Sequence, residues 1–540
     1  MEDQKGSVCS EQSTGSVSSV LAVIQGQHRH SSHRNDLNFA QTRLKYPRFS
    51  PIFEYRSPPV DLISTLPDFL IQEILSFLPI EDAIKTSVLS RRWYPLWTQI
   101  PTLSFSHSSF CFKLAKFVEV VNRTLQRFSG HTIKNFSINF KFTESLASYV
   151  EEWILFAISH HVEKLCLVFD GGLVYAPFAE STPFWLPQFL YVNSYLKDLT
   201  LRQCVVSPDG NTSWPSLKVL SINYSRLNNE AIENILSGSP NLQNLKLHNC
   251  ERIKRISSRS LEVLVVDGIY DPHEKEDCVT EISCPNLQSL SLLGFMYRRT
   301  YRLMHVSSLS KANLGFVMTI DKKDKYDYTK HRYILRELLE KLCHVEELTV
   351  GTWCLQAGML FFQVKVLNVL SIWEIKGISS PLSKRSCLVL DTEICEWDLP
   401  GIVSLLQSSP YLKKLVLNLS PCDNSKFEFD QEFFNSYELD GVAFLSSANW
   451  IFKSFLQSLE DIEITGFQPS SSGSKLLVEL MQFLLKDATE LKKVVIYEQS
   501  GALYRSWKSS WPDRNMGNFK RNQIMMIISN SIPVLKYSSG

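Results

Sequence analysis

Long hydrophobic runs are missing from this sequence of 540 residues. No stretch reaches the roughly 18 consecutive apolar residues of a transmembrane helix, so we expect no segment that spans a membrane. The chain starts with the acidic Met1-Glu2-Asp3, and the apolar run from Val20 to Ile24 is shorter than a signal-peptide core. We therefore expect an intracellular protein, in the nucleus, the cytoplasm or both.

Net charge is nearly absent as well. Lys and Arg number 56 and Asp and Glu number 55, which leaves a formal charge of +1. A chain balanced in this way has no overall field that draws it to nucleic acid or to an anionic membrane, and we predict neither as a partner. The 12 cysteines are scattered singly without a Cys-x-x-Cys pair, so we interpret most of them as small buried residues of a reduced protein.

The motifs of the common enzyme classes are also missing. The sequence has no Gly-x-Ser-x-Gly elbow, no phosphate-binding Gly-Lys-Thr loop, no dinucleotide-binding glycine pattern and no His-Glu-x-x-His helix. We therefore predict a non-catalytic protein without a cofactor or a metal, and keep a hydrolytic enzyme as a minor alternative.

Two polar stretches leave an alternative open. His28, His30 and His33 could bind a metal, although a flexible polar tail is the commoner interpretation of such a tract. Residues 504–521 are basic with two interleaved tryptophans, a pattern that can indicate single-stranded nucleic acid. A C-terminal cap or loop is the better interpretation of that segment.

The N-terminal part of the chain changes from a polar tail to a small helical module. Residues 1–57 are rich in Ser, Gln, His and Asn without a sustained period, which predicts a disordered segment. Thr65 and Pro67 then give a helix-start signature, with Thr65 as the N-cap. Helical spacing predicts three short helices before residue 105, the second over Glu81–Leu89 and the third capped by Ser90. So small a module leaves large apolar groups exposed, which usually marks a partner surface.

A short unit recurs beyond residue 110, after an amphipathic helix predicted over residues 113–128. The unit consists of an apolar residue, two polar residues, an apolar, a polar and an apolar residue. Clear copies begin at Leu196, Leu217, Leu242, Leu261 and Leu287, and weaker copies begin at Val162, Val345, Leu412, Leu459 and Leu491. Neighbouring clear copies lie about 19 to 26 residues apart, which is the period of leucine-rich repeats.

Each unit fits one short strand, because its last two apolar positions alternate and point to one face. One strand cannot bury that face alone, and stacking the copies as a parallel sheet builds a continuous core. Helices predicted at Asn229–Ser237 and Gly401–Gln407 end just before a new unit. The predicted fold is α/β, an irregular leucine-rich-repeat solenoid with parallel strands and helices outside. Cys204 and Cys250 stand where this repeat class has Asn or Cys, so we interpret both as structural.

Two longer, charged stretches interrupt the repeats. We expect Asp267–Cys284 and Asp321–Tyr333 to leave the solenoid as loops. The second stretch carries four lysines interleaved with aspartates, at positions 322, 323, 325 and 330. A solvated loop is therefore a better interpretation than a nucleic-acid site.

Two segments carry the motifs of a known family. The first contains Leu66-Pro67-Asp68, Ile74 to Pro79, Leu89 to Trp93 and Leu96-Trp97, and residues 58–105 resemble an F-box. The second contains Leu459-Glu460, Ile462 to Phe467, Phe483 to Ala488 and Leu491 to Val494, and residues 441–500 resemble the FBD segment of plant F-box proteins. With leucine-rich repeats at 110–440 between them and a cap or tail at 501–540, the resemblance covers most of the chain.

The resemblance implies a non-catalytic subunit of a Skp–cullin–F-box (SCF) ubiquitin ligase. The F-box would bind a Skp-type adaptor and through it a cullin, while the repeats would hold an unknown protein substrate. The residues implied to contact the adaptor are Leu66, Pro67, Ile74, Leu75, Leu78, Leu89, Trp93, Leu96 and Trp97. Leu70, Ala83 and Ile84 are better assigned to the core of the module. The alternative function is a leucine-rich-repeat scaffold that is not assembled into a ligase.

Overall fold

The structure is a computed structural model, which describes residues 62–63, 65–107, 114–169, 183–251, 253–270, 278–296, 299–320, 328–351, 362–392, 394–419, 444–445, 456–467, 474–498 and 525–529. The chain divides into two units, Met1–Ser64 and Thr65–Gly540. In the first unit Leu62 and Ile63 are described, and both are exposed. The predicted disordered segment 1–57, its histidine tract, the lysines at 322, 323 and 325 and the basic stretch 504–521 lie outside the described residues.

The second unit contains alternating strands and helices. The helices are α1 (Asp68–Leu75), α2 (Ile80–Lys85), α3 (Leu114–Arg127), α4 (Ala147–Ser159), α5 (Asn229–Gly238), α6 (Tyr328–Lys341), α7 (Val366–Ile375), α8 (Leu399–Gln407) and α9 (Ser474–Asp487). Short 3-10 helices cover Thr86–Val88, Leu96–Gln99, Glu144–Leu146, Gln188–Tyr191 and Glu396–Asp398. The strands are β1 (Thr102–Ser106), β2 (Asn135–Asn139), β3 (Lys164–Val168), β4 (Phe184–Trp185), β5 (Asp198–Arg202), β6 (Cys204–Val206), β7 (Val219–Asn223), β8 (Arg226–Leu227), β9 (Asn244–Glu251), β10 (Arg255–Ser257), β11 (Val263–Tyr270), β12 (Cys278–Ser283), β13 (Ser289–Met296), β14 (Arg299–Met304), β15 (Lys311–Ile320), β16 (Glu347–Gly351), β17 (Phe362–Lys365), β18 (Cys387–Thr392), β19 (Lys414–Leu419), β20 (Asp461–Phe467), β21 (Lys493–Glu498) and β22 (Met525–Ser529).

One long sheet organises the described part of the chain. Its 16 strands follow the order β1-β2-β3-β5-β7-β9-β11-β13-β15-β16-β18-β19-β20-β21-β22, with β17 paired beside β15. Neighbours along this path are parallel, and β17 is antiparallel to β15. Two three-stranded parallel sheets, β4-β6-β8 and β10-β12-β14, accompany it. The predicted α/β solenoid of stacked parallel strands is confirmed.

The leucines of the recurring unit form the core, as the alternation along each strand requires. Leu245 and Leu247 of β9 lie in register with Leu264 and Val266 of β11, and all four are buried. The residue between the two leucines, Lys246, lies on the other side of the strand and is exposed. We call the side of the main sheet that carries such alternate residues the open face.

Several strands turn locally, within the strand or just after it, at a residue in the left-handed backbone region. The φ angle is positive at Gln203, Tyr224, Asn249, Gly268, Gly294 and Gly466. This turn brings the next side chain inward, and Cys204 and Cys250 are fully buried there. The Cys250 thiol donates to the Ile222 carbonyl oxygen at 3.3 Å, and burial raises the pKa of the Cys204 thiol. Burial and bonding of this kind support the structural role predicted for both cysteines.

Helix α5 begins at a side-chain cap. The Asn228 Oδ1 atom accepts a hydrogen bond from the Ala231 backbone N–H at 2.8 Å, which satisfies one of the unpaired donors of the first turn. The buried face of the helix carries Ile232 and Ile235, and the helix ends at Gly238 as predicted. Here a local sequence signal and the packed structure agree.

Removal of this cap gives a first prediction. We expect Asn228→Ala to lower the free energy of unfolding by about 1 kcal/mol, because the Ala231 N–H loses its partner. Urea denaturation of the two proteins measures the difference. Asn228→Asp retains an acceptor and should unfold near the wild-type midpoint. An equal loss in both variants would contradict the capping explanation.

Three local predictions are wrong. Pro67, and not Thr65, precedes the first residue of α1, and no side-chain cap bond forms there. The predicted third helix is only a turn followed by the 3-10 helix Leu96–Gln99, because Pro95 lacks a backbone donor. The expected loops are partly regular, since Cys278–Ser283 is strand β12 and Tyr328–Tyr333 begins α6.

Candidate functional site

Helix α1 has two apolar faces, of which one is buried. Ile71 and Leu75 are buried, and Leu78, one turn further on, packs against the same core. Leu70, Ile74 and Phe77 follow the same i, i+4, i+7 spacing one position earlier. One position corresponds to a rotation of about 100° on a helix, so the second set points away from the core.

The buried face joins the helical module to the solenoid. The apolar core that contains Ile71 and Leu75 continues through Trp93, Leu96 and Trp97 into the first strands of the main sheet. Hydrogen bonds and ion pairs reinforce this connection. They are Lys134 Nζ to Glu73 Oε1 at 2.8 Å and the Ser129 N–H to the Thr98 carbonyl oxygen at 2.8 Å. Within the module, Gln72 Nε2 donates to Gln99 Oε1 at 3.1 Å.

The ion pair between the module and the solenoid also shifts the pKa of Lys134. The hydrogen bond that the Lys134 ammonium group donates to Glu73 raises the pKa of Lys134, and the negative charge of Glu73 adds to the effect. Because both side chains are largely exposed, this pair orients the module more than it stabilises the fold.

The other side of the module exposes a set of large apolar side chains, which we call the exposed apolar face. Its members are Phe69, Leu70, Ile74, Phe77, Val88, Leu89 and Tyr94. Phe77 and Val88 are 86% and 88% exposed, values that a folded domain rarely gives to groups of this size without a partner.

Arg92 connects the segment after Leu89 to the start of helix α1. Its Nε and Nη2 atoms donate to Asp68 Oδ1 at 2.8 and 2.6 Å, and Nη2 also donates to the Leu66 carbonyl oxygen. The segment that carries Leu89 and Tyr94 is therefore held beside the start of α1.

The nine residues implied to contact the adaptor fall into two groups. Pro67, Ile74 and Leu89 are exposed, and Leu66 and Leu78 are partly buried. Leu75, Trp93, Leu96 and Trp97 are buried in the core of the chain itself. Contact with an adaptor stays a prediction for the first group. The second group would act by supporting that surface from beneath, since its side chains do not reach it.

Sequence reasoning missed part of this face. Phe69, Phe77, Val88 and Tyr94 were not predicted as contacts, although they are exposed. A helical projection would have separated Phe77 from Leu75, because the two lie on different sides of the same turn. Leu70 was assigned to the core and is instead exposed, while Ala83 is buried and Ile84 packs against the core as predicted.

Neither a metal site nor a membrane span accompanies this surface in the described residues. No group of three or more His, Cys, Asp and Glu side chains is arranged to hold a metal ion there. Of the helices within those residues, none combines the length and apolar character needed to cross a membrane.

Comparison with known proteins agrees with this architecture. Residues 63–104 match the F-box domain family, and residues 124–526 match the family described as At1g61320/AtMIF1, LRR domain. The second match covers well over half of the chain. The chain belongs to the F-box/LRR-repeat proteins. The residues that resemble the FBD segment fall within the LRR match, and β20, α9 and β21 continue the repeats there, so the FBD assignment stays a prediction.

Plant relatives extend the family assignment over most of the length. The F-box/LRR-repeat protein At3g03360 of Arabidopsis thaliana is 31% identical over 447 residues, which are 81% of this chain and 84% of the relative. The putative F-box protein At1g49610 of the same plant is 33% identical over 386 residues, 70% of this chain and 89% of the relative. An F-box followed by leucine-rich repeats is the organisation of a substrate-adaptor type protein, a class that is generally non-catalytic.

Proposed function

We propose that this F-box/LRR-repeat protein is the substrate-recognition subunit of an SCF ubiquitin ligase. Its F-box binds a Skp-type adaptor, and through it a cullin, while its repeats hold a protein substrate. The observation that supports the proposal is the exposed apolar face, which remains uncovered although the opposite side of the same module is buried. The machinery it would join lies inside the cell, so we propose the nucleus, the cytoplasm or both as its location.

The proposed mechanism is proximity. The apolar core and the Lys134–Glu73 ion pair fix the F-box to the first strands of the solenoid, so both partners are held on one frame. A substrate on the repeats then meets the conjugating enzyme at a raised effective concentration. The chain itself performs no bond-making step in this scheme.

Titration with a purified Skp-type adaptor tests the proposal on the full chain. We expect the wild type to form a stable complex and Val88→Asp to bind about tenfold more weakly, because the carboxylate would be desolvated in an apolar contact. Val88 is so exposed that the substitution should leave folding unchanged.

Leu382→Asp is the matched control, since Leu382 is 69% exposed but lies in the repeats. Absence of adaptor binding by the wild type would favour the alternative, a leucine-rich-repeat scaffold outside any ligase. Equal binding by wild type and Val88→Asp would reject the assigned surface.

A further inference from the structure

Aspartate is followed directly by glycine four times in the chain, at residues 170–171, 209–210, 267–268 and 440–441. An aspartate in such a pair is exposed to attack by its own backbone, because a glycine without a Cβ lets its nitrogen approach the preceding carboxyl group. The first and last pairs lie outside the described residues. The structure places the second and third pairs in opposite environments.

Asp209 and Gly210 lie in an exposed turn between β6 and β7. Within the described part of the chain, neither the Asp209 carboxylate nor the Gly210 backbone N–H takes part in a hydrogen bond or an ion pair. A Cβ added at Gly210 would meet no atom within 4 Å, so nothing crowds the approach of the two groups. Both reacting groups of this pair are therefore accessible to each other.

Hydrogen bonds hold the chain on both sides of this turn. Gln188 Nε2 donates to the Ser207 carbonyl oxygen at 3.0 Å, and Gln188 Oε1 accepts from the Asp209 N–H at 3.0 Å. On the other side, the Ser213 N–H donates to the Tyr191 carbonyl oxygen at 2.8 Å. The open turn between these anchors can accommodate an altered main chain while the flanking strands stay in place.

The pair Asp267-Gly268 is instead part of strand β11. The Asp267 side chain is 6% exposed, and its Oδ2 atom lies 3.1 Å from His248 Nδ1 in a hydrogen bond. The neighbouring strand approaches closely, since a Cβ added at Gly294 would lie 2.7 Å from Asp267 Oδ1. Attack on this carboxyl group would first require the side chain to leave its hydrogen bond and the strand to open locally.

We propose that the exposed turn at Asp209-Gly210 is a modification site at which the chain rearranges to isoaspartate, with water as the co-reactant. The Gly210 nitrogen attacks Cγ of the protonated Asp209 carboxyl group. A nitrogen–carbon bond forms, and the carboxyl OH leaves with the amide proton as water. Because the two groups belong to adjacent residues, this attack is intramolecular and needs no bound partner.

Hydrolysis of the resulting five-membered imide completes the rearrangement. Water adds its OH to the Asp209 backbone carbonyl carbon, the bond from that carbon to the Gly210 nitrogen breaks, and the nitrogen stays bonded to Cγ and the imide opens to an amide. The main chain then runs through the Asp209 side chain, and the former backbone carbonyl becomes a free carboxylate. Addition of water at Cγ instead restores aspartate.

Incubation of the folded full chain in heavy-oxygen water tests the proposal, because hydrolysis of the imide leaves a heavy oxygen on the aspartate that reacted. Tryptic mapping separates the two pairs into the peptides Gln203–Lys218 and Ser260–Lys275, and fragment spectra assign the label and the isoaspartate to a residue. We expect both to accumulate at Asp209 at least about tenfold faster than at Asp267. In concentrated urea, which removes the fold, the two rates should become similar.

Gly210→Ala is the matched variant, because its methyl group meets no neighbour and Gly210 lacks the positive φ that alanine resists. It should fold as the wild type does and slow the reaction at Asp209 about tenfold, since the Cβ hinders the approach of the nitrogen. Equal rates at Asp209 and Asp267 in the folded chain, or an unchanged rate in Gly210→Ala, would overturn the proposal. A difference between the two pairs that persists in urea would also overturn it, because the local sequence and not the turn would then decide the rate. None of these results involves the adaptor, so the proposed ligase role is tested separately.

Discussion

Ile74→Asp should weaken binding of a Skp-type adaptor by about 100-fold or more, while the free energy of unfolding stays within about 0.5 kcal/mol of wild type. Ile74 is 48% exposed in the centre of the Leu70–Ile74–Phe77 row of the exposed apolar face. A carboxylate there loses its water when an apolar partner covers it, and nothing replaces that water. Adaptor titration and urea denaturation of the same preparation give the two quantities.

Replacement of Leu75, the residue next to Ile74, should reduce stability and leave adaptor affinity unchanged. Leu75 is 1% exposed, so Leu75→Ala leaves a cavity in the core and should lower the free energy of unfolding by about 2 to 5 kcal/mol. The fraction that remains folded should still bind the adaptor, because the side chain of Leu75 does not reach the surface. If Leu75→Ala reduced adaptor affinity more than Ile74→Asp without any loss of stability, the assignment of the two faces would be wrong.

The repeats were predictable because one physical requirement determines them. A strand with two inward leucines at alternate positions has to stack on another such strand, and the units at Leu217 and Leu242 do so in β7 and β9. The same argument did not predict β1 and β2, because neither strand carries a full leucine unit. The inward residues are Leu103 and Phe105 in β1, and Phe136 and Ile138 in β2. Their strands are set by packing against neighbours, which a single local pattern does not record.

The sequence predicts which segment forms the candidate site, but it does not predict which side chains of that segment are exposed. The motif that spans residues 66–97 lies within residues 63–104, which match the F-box domain family. It could not separate Ile74 from Leu75, because both are apolar and only the position of the solenoid decides which one is covered. Trp93 and Trp97 show the same limit, since large aromatic residues suit a core and a contact surface equally well.

A buried arginine in the repeats gives the second large effect that we expect. Arg385 precedes β18 at the position where Leu412 precedes β19, since Leu388 and Leu415 are in register. It therefore occupies the first leucine position of a repeat, and it is 2% exposed. Its Nε atom donates to Ser383 Oγ at 2.5 Å, but its buried Nη1 atom has no hydrogen-bond partner among the described residues. A charge in this environment opposes folding.

The pKa of Arg385 gives the sign and size of that effect. Burial lowers the pKa of the guanidinium group to about 10, and the electrostatic effect of the nearby Cys343 offsets only part of this change. The unfolded chain thus holds the proton more tightly than the folded chain does. The resulting destabilisation is fully present below about pH 10 and fades only as the pH rises from there toward the ordinary pKa of an arginine. A shift of this size corresponds to about 3 kcal/mol at neutral pH.

Arg385→Met should therefore raise the free energy of unfolding by about 2 to 3 kcal/mol, because it removes the buried charge and keeps an unbranched side chain of similar length. Arg385→Leu restores the residue of the other repeats and should gain somewhat less, since it leaves part of the volume empty. The gain should be the same from about pH 6 to pH 8, where the arginine stays charged in both states. Urea denaturation across that range measures it, with Arg255→Met at an exposed position on β10 as the control. A lower midpoint for both Arg385 variants would contradict this prediction. It would show that the aliphatic stem of Arg385 and its hydrogen bond to Ser383 stabilise the fold by more than the burial of the charge destabilises it.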